Sequence, residues 1–275
     1  MGFQQTERVV ELNARVQAFM AKHIYPREYE WEAFTLDQDN RWQFPTWFDG
    51  LREKAREEGL WNLFLPREYE PWSPGLTNVE IATIFETMSK VSWAQPVFNC
   101  SAPDRGNMEV LAKYGTPQQQ QQWLEPLLAG EIRSVYAMTE PQVASSDATN
   151  MELEIKRDGD EYVLNGRKWW TTGAISSRCK IMLVMGRSNP ENDRHRQHST
   201  ILVPRDTPGV KLVRELRVFD NLHSPGGEAE LLFDNVRVPA ANMIKGEGCG
   251  FEIAQGRLGP GRFQYAMTFV GLAQR

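Results

Sequence analysis

Cysteine is scarce in this chain: three among 275 residues, Cys100, Cys179 and Cys249. They are far apart, odd in number and never paired as CxxC. They read as free thiols in a reducing compartment rather than as a disulfide framework. Positive charge is not in excess either. Against 31 Lys and Arg stand 36 Asp and Glu, a net charge of -5, where a nucleic-acid face wants the opposite sign. No apolar run approaches the roughly 20 residues that span a bilayer. Residues Met1 to Val10 have neither the apolar core of a signal peptide nor the Arg/Ser-rich make-up of a transit peptide. The expectation is a soluble, cytoplasmic protein. Histidine is also rare, with four in all. His195 and His198 form an HxxH in a charged loop that should be exposed, no third ligand is evident, and no metal site is expected.

What is present suffices for packed cores. Hydrophobic residues make up 41% of the chain, and this length suggests about two domains. Val9, Leu12, Val16, Phe19 and Met20 repeat at helical spacing, so Thr6 to about His23 reads as a helix. Tyr25 to Pro45 is aromatic-rich and reads as irregular. A second helix runs from about Thr46 to Glu58, with Gly59 as its stop. Thr77 and Glu80 match a capping box ahead of Ile81, Ile84, Phe85 and Met88; Thr116 and Gln119 match another, with Pro117 at the first helical position.

The pattern changes at Arg133. Leu153 to Lys156 alternates, Asp158-Gly159 supplies a turn and Tyr162 to Leu164 resumes, which is a hairpin signal. Ile181 to Met185, Thr200 to Val203 and Leu231 to Val238 read as further strands, and Pro208-Gly209 as a turn. Gly246, Gly248 and Gly250 make a loop, not a dinucleotide fingerprint, since the spacing and the preceding context are wrong. Helix returns at Phe251, and Pro260 reads as the first residue of another helix with Phe263, Ala266, Met267 and Val270 on one apolar face. The expected fold class is α+β: an N-terminal all-helical domain (residues 1–130), a middle antiparallel β domain resembling a small barrel (131–240), and the start of a C-terminal helical bundle (241–275) that is cut short.

Two stretches carry candidate chemistry. One is Tyr136-Ala137-Met138-Thr139-Glu140-Pro141, continuing to Ser145-Ser146-Asp147. The other is Asn165-Gly166-Arg167-Lys168-Trp169-Trp170-Thr171-Thr172-Gly173. A flavin ring needs hydrogen bonds along its polar edge and an apolar wall elsewhere. Backbone and hydroxyl groups at Met138, Thr139 and Thr172 could supply the first and Trp170 the second.

In this order and separation, the two stretches resemble the flavin-cradling signatures of the acyl-CoA dehydrogenase family. Phe233 to Pro239, Gly246 to Phe251 and Leu111 to Leu124 resemble further family segments, so the likeness covers essentially the whole chain. The resemblance implies FAD as cofactor and α,β-dehydrogenation of an acyl-CoA thioester to a trans-2-enoyl-CoA. It implies flavin contacts from Tyr136, Met138, Thr139, Ser145, Trp170, Thr171 and Thr172, and substrate contacts from Ser145, Ser146 and Arg262. It further implies electron-transfer flavoprotein as acceptor and a homodimer or homotetramer when the protein is full length. The chain departs from the family pattern in the longer Gln142-Val143-Ala144 loop. It departs again at Gly261, where some members place the catalytic base. The base is therefore expected beyond residue 275. The alternatives are a same-fold flavin oxidase or monooxygenase on a non-CoA substrate, and a non-catalytic protein that binds acyl-CoA.

Overall fold

The computed structural model describes residues 5–223 and 225–275; Met1 to Gln4, part of the stretch read for targeting signals, lie outside it, as does Ser224. The chain packs as two compact units. One comprises the described residues up to Glu109 together with Leu258–Arg275, and the other is Val110–Arg257.

The first unit is helical. In α1 (Glu7–Phe19) the Thr6 hydroxyl caps the first turn by accepting from the Val9 amide, and Val9, Val16 and Phe19 are buried at helical spacing. α3 (Phe48–Glu57) buries Phe48, Leu51 and Ala55. α4 (Asn78–Met88) opens with the expected reciprocal capping box of Thr77 and Glu80. The stretch read as irregular instead contains α2 (Glu28–Leu36). Its sequence shows no side-chain cap, and it is held by an aromatic cluster: Trp31 stacks on Trp93 at 4.9 Å and packs against Phe48. Tertiary packing thus overrides a weak local signal. α5 (Asp104–Tyr114) leads out of this unit.

In the second unit, after the end of α5, a second capping box, Thr116 with Gln119, starts the helical stretch Pro117–Leu128. That helical stretch divides into α6 (Pro117–Gln119), a π-turn and α7 (Glu125–Leu128). A seven-stranded sheet follows, ordered β1-β4-β2-β3-β7-β6 with β5 beside β4. The strands are β1 (Arg133–Ala137), β2 (Glu154–Asp158), β3 (Glu161–Thr172), β4 (Cys179–Arg187), β5 (His198–Pro204), β6 (Val210–Leu216) and β7 (Glu228–Pro239). The hairpin lies where expected, with Asp158 opposite Glu161. One correction concerns strand direction: the sheet is mixed, not wholly antiparallel, because β1 and β2 run parallel to β4. β4 is buried along nearly its whole length, which is how a strand covered on both faces reads in sequence. β6 escaped the sequence reading because it is a charged edge strand, exposed from Lys211 to Arg214.

α8 (Gly250–Gln274) is a single helix with Pro260 inside it, so Pro260 does not begin a new one. An interior proline costs about 3 kcal/mol. Burial on either side of the proline offsets it: Ile253 and Ala254 before it and Gln264 after it are almost fully enclosed. The buried face also differs from the apolar stripe expected. Ala266 is exposed and Val270 is 41% exposed, while Gln264 donates to Glu109 and Thr268 accepts from Gln95 at 2.9 Å. Gly271 lies so close to the Glu86 carbonyl that a Cβ there would come within 2.2 Å of it. Small and polar side chains let the backbones approach, and Tyr265, Phe269 and Leu272 are left facing outward.

Candidate functional site

The site is built where β1 ends and β3 bulges. Lys168 pairs with Leu231, but the next register pair is Thr171 with Ala229. β3 therefore carries one extra residue between them, and Trp170 takes φ +49°. A bulge of this kind re-aims the side chains around it. Lys168 is fully buried, Trp170 turns outward and is 38% exposed, and Thr171 is again inside.

Buried Lys168 joins the two motif segments. Its Nζ donates to the Met138 carbonyl and to Glu140 Oε1, both at 2.7 Å. Glu140 in turn accepts the Glu152 amide at 2.7 Å and the Leu153 amide at 2.9 Å. Beside this pair the Trp169 amide donates to the Thr139 carbonyl at 2.9 Å. Burial pushes the Lys168 ammonium down to about 8, against the pull of the Glu140 carboxylate. A buried charge is tolerated only when paired and hydrogen-bonded, and both charges here meet that condition.

The loop after Pro141 is braced by its own side chains. Ser145 Oγ accepts the Glu140 amide and donates to the Glu140 carbonyl, each at 2.9 Å. Asp147 accepts the Thr149 amide and hydroxyl. Arg194 is exposed and reaches Asp147 at 2.5 Å and Thr149 at 2.8 Å. Of the HxxH pair, His195 is exposed as expected and His198 is not. His195 stacks on Phe251 at 4.3 Å, whereas His198 is buried at the start of β5 with Nε2 2.9 Å from the Met151 carbonyl. Among the described residues no group of three His, Cys, Asp or Glu side chains gathers to hold a metal.

Among the described residues Thr171 Oγ1 is buried without a hydrogen-bond partner, while the buried Tyr136 phenol has the Thr200 hydroxyl beside it. Burial pushes the Tyr136 phenol up, while the Arg257 guanidinium, 4.3 Å over its ring, opposes that shift. Met138 packs with Phe251 against Ala148, Met185 and Ala254. Thr172 donates its hydroxyl to both oxygens of Glu228, at 2.8 and 3.1 Å. Burial raises the Glu228 carboxyl above its usual range, opposed by Thr172 and His223. The Gly-rich loop seats α8: the Gly248 amide donates to Ser199 Oγ at 2.9 Å. A Cβ on Gly250 would lie 2.8 Å from the His198–Ser199 backbone.

Of the residues singled out from sequence, Met138 and Thr139 are brought beside the Lys168–Thr172 segment. Tyr136 lies at the root of the first segment, on β1. Ser145 braces its loop, Ser146 is exposed, and Arg262 is exposed on α8. The sequence reading missed Glu140, Lys168, Arg194 and Glu228 as site-building residues. Glu140 and Lys168 had a signal: each is a charged residue inside a motif otherwise built of apolar and hydroxyl groups. Arg194 and Glu228 had none, because their partners are remote in sequence.

Similarity to known proteins agrees with this arrangement. Residues 6–131 match the acyl-CoA dehydrogenase N-terminal domain and residues 135–236 the acyl-CoA dehydrogenase middle domain. The chain belongs to the acyl-CoA dehydrogenase family. It is 53% identical to acyl-CoA dehydrogenase family member 11 of Mus musculus over 99% of its own length and 35% of that protein. It is 47% identical to the probable acyl-CoA dehydrogenase FadE2 of Mycobacterium tuberculosis, over 100% of its length and 67% of that protein. A solved Mycobacterium abscessus protein assigned to the acyl-CoA dehydrogenases superposes with a TM-score of 0.93 at 46% identity, covering 98% of this chain and 68% of that one. The chain thus spans about a third, 35%, of the length of the mammalian relative.

Proposed function

We propose that the protein is an FAD-dependent acyl-CoA dehydrogenase that converts a saturated acyl-CoA to the trans-2-enoyl-CoA. One observation carries the reading: Lys168 and the Trp169 amide hold the Met138–Glu140 segment against the bulged end of β3. The residues there fit a flavin. They offer an outward-turned indole at Trp170, the half-buried Met138 and Thr139, and the orphaned buried hydroxyl of Thr171. Bound FAD would accept the hydride from the substrate's β carbon.

The chain's own part is to bind and orient. Trp170 walls one side of the ring, and Met138, Thr139 and Thr172 line its polar edge. Tyr136 and Ser145 shape the first segment, and Ser146 and Arg262 serve the acyl-CoA. Gly261 has no side chain and cannot remove a proton. A carboxylate elsewhere in the full-length protein takes the α proton, and hydrogen bonds to the thioester oxygen acidify that carbon. Electron-transfer flavoprotein is the proposed acceptor, a homodimer or homotetramer the proposed assembly and the cytoplasm the proposed location. No described helix is long and apolar enough to cross a membrane.

The test is an absorbance spectrum of the full-length encoded protein with FAD, followed by reduction of an electron-acceptor dye with an acyl-CoA. A bound-flavin spectrum and acyl-CoA-dependent dye reduction are expected. A folded, colourless protein would sink the proposal. Oxygen uptake without any response to acyl-CoA would replace it with oxidase chemistry on another substrate.

A further inference from the structure

We propose that Glu228 is a positioning residue for the Thr172 hydroxyl, and that the pair biases a bound flavin toward its reduced form. This rests on the flavin reading above and adds a residue that the motifs do not contain.

Thr172 and Glu228 stand directly opposite one another at the paired ends of β3 and β7. The Thr172 hydroxyl lies within hydrogen-bond distance of both carboxylate oxygens, at 2.8 and 3.1 Å. The Glu228 side chain is only 12% exposed, and His223 Nδ1 lies 3.8 Å away. A largely buried carboxylate is costly unless hydrogen-bonded. Here the bond comes from the same hydroxyl that the flavin reading assigns to the ring.

A hydroxyl has one hydrogen and two lone pairs. Given to a carboxylate in a charge-assisted bond, that hydrogen is held firmly. What Thr172 Oγ1 then offers on its other side is an acceptor. An acceptor engages a ring nitrogen that carries hydrogen, which N5 does only in the reduced flavin. The neighbouring Thr171 makes no such arrangement: its hydroxyl is buried without a partner. If the Glu228 acceptor is taken away, the Thr172 hydrogen is free to bond the bare nitrogen of the oxidised ring, and the preference reverses.

The experiment measures the midpoint potential of bound FAD in the full-length encoded protein. It compares Glu228→Gln with Glu228→Ala, each alone and combined with Thr172→Val. Both changes at Glu228 remove the charge, but only Gln keeps an acceptor oxygen for the hydroxyl. The expected result is a lower potential for Glu228→Ala than for Glu228→Gln, and no difference between them when combined with Thr172→Val. Equal potentials, or a difference that survives Thr172→Val, would overturn the inference. Near-ultraviolet circular dichroism checks folding, and Glu228→Leu replaces Glu228→Ala if the smaller side chain does not fold. A parent protein that takes up no FAD overturns the inference together with the reading beneath it. FAD uptake with equal potentials overturns the inference alone.

Discussion

Lys168 Nζ lies 2.7 Å from Glu140 Oε1, and both side chains are almost completely shielded from solvent. This contact ties the loop leaving β1 to the bulged end of β3, so the candidate site depends on a buried ion pair that the solvent cannot replace.

Removing one partner should therefore be severe. Lys168→Met leaves the Glu140 charge buried, which typically costs about 3–5 kcal/mol. Glu140 keeps its two amide donors, so the double change with Glu140→Gln, which retains an acceptor oxygen, should be less destabilising than Lys168→Met alone. Urea unfolding of the three chains measures both. A double variant no more stable than Lys168→Met would mean that the charge is not what destabilises.

His198 should make the fold acid-sensitive. Burial, the largest cause, holds its imidazole below the ordinary value of 6.5. Nε2 donates to the Met151 carbonyl, leaving Nδ1 as a buried atom without a partner. A proton added there has no acceptor. Because the native pKa is depressed, the stabilising contribution is complete above 6.5 and is lost as pH falls through the native value. Thermal unfolding from pH 7.5 down to about 5 should show a decline that His198→Gln flattens. Parallel curves would reject the assignment.

Two glycines in α8 should respond in opposite directions. A Cβ on Gly250 would press to 2.8 Å on the backbone of β5, whereas one on Gly261 meets nothing within 4 Å. Gly250→Ala should cost about 1–3 kcal/mol through overpacking. Gly261→Ala should stabilise by about 0.5–1 kcal/mol, since alanine loses less backbone freedom in a helix. Chemical denaturation resolves both, and a stabilised Gly250→Ala would contradict the close approach.

Arg194→Ala should act locally. Its ion pair with Asp147 lies largely in solvent, although Thr149 itself is buried, and exposed ion pairs add little to global stability. The melting temperature should hardly change, while amide exchange across Ser145–Asn150 should quicken. Unchanged exchange in that loop would show that its internal bonds suffice.

Much of this was legible in the chain because it is local. Thr77 with Glu80 and Thr116 with Gln119 form their capping boxes as the three-residue spacing implies. Asp158-Gly159 closes the hairpin between strands it adjoins. The motif around Thr139 and the one around Thr172 meet through Trp169 and Thr139. α2 was not legible, because its aromatic residues face partners such as Trp93, remote in sequence. Nor was Glu228, whose partner Thr172 is 56 residues away.

The sequence by itself determined the helix starts, the turns, the strand-rich middle and the family, since each rests on residues within a few positions of one another or on ordered motifs. The tertiary structure alone decided that β1 and β2 run parallel to β4, that α8 buries Gln264 and Gly271 in place of its apolar stripe, and that Lys168 meets Glu140. These are choices between distant partners. They are made by desolvation and close packing, which act only once the chain has folded.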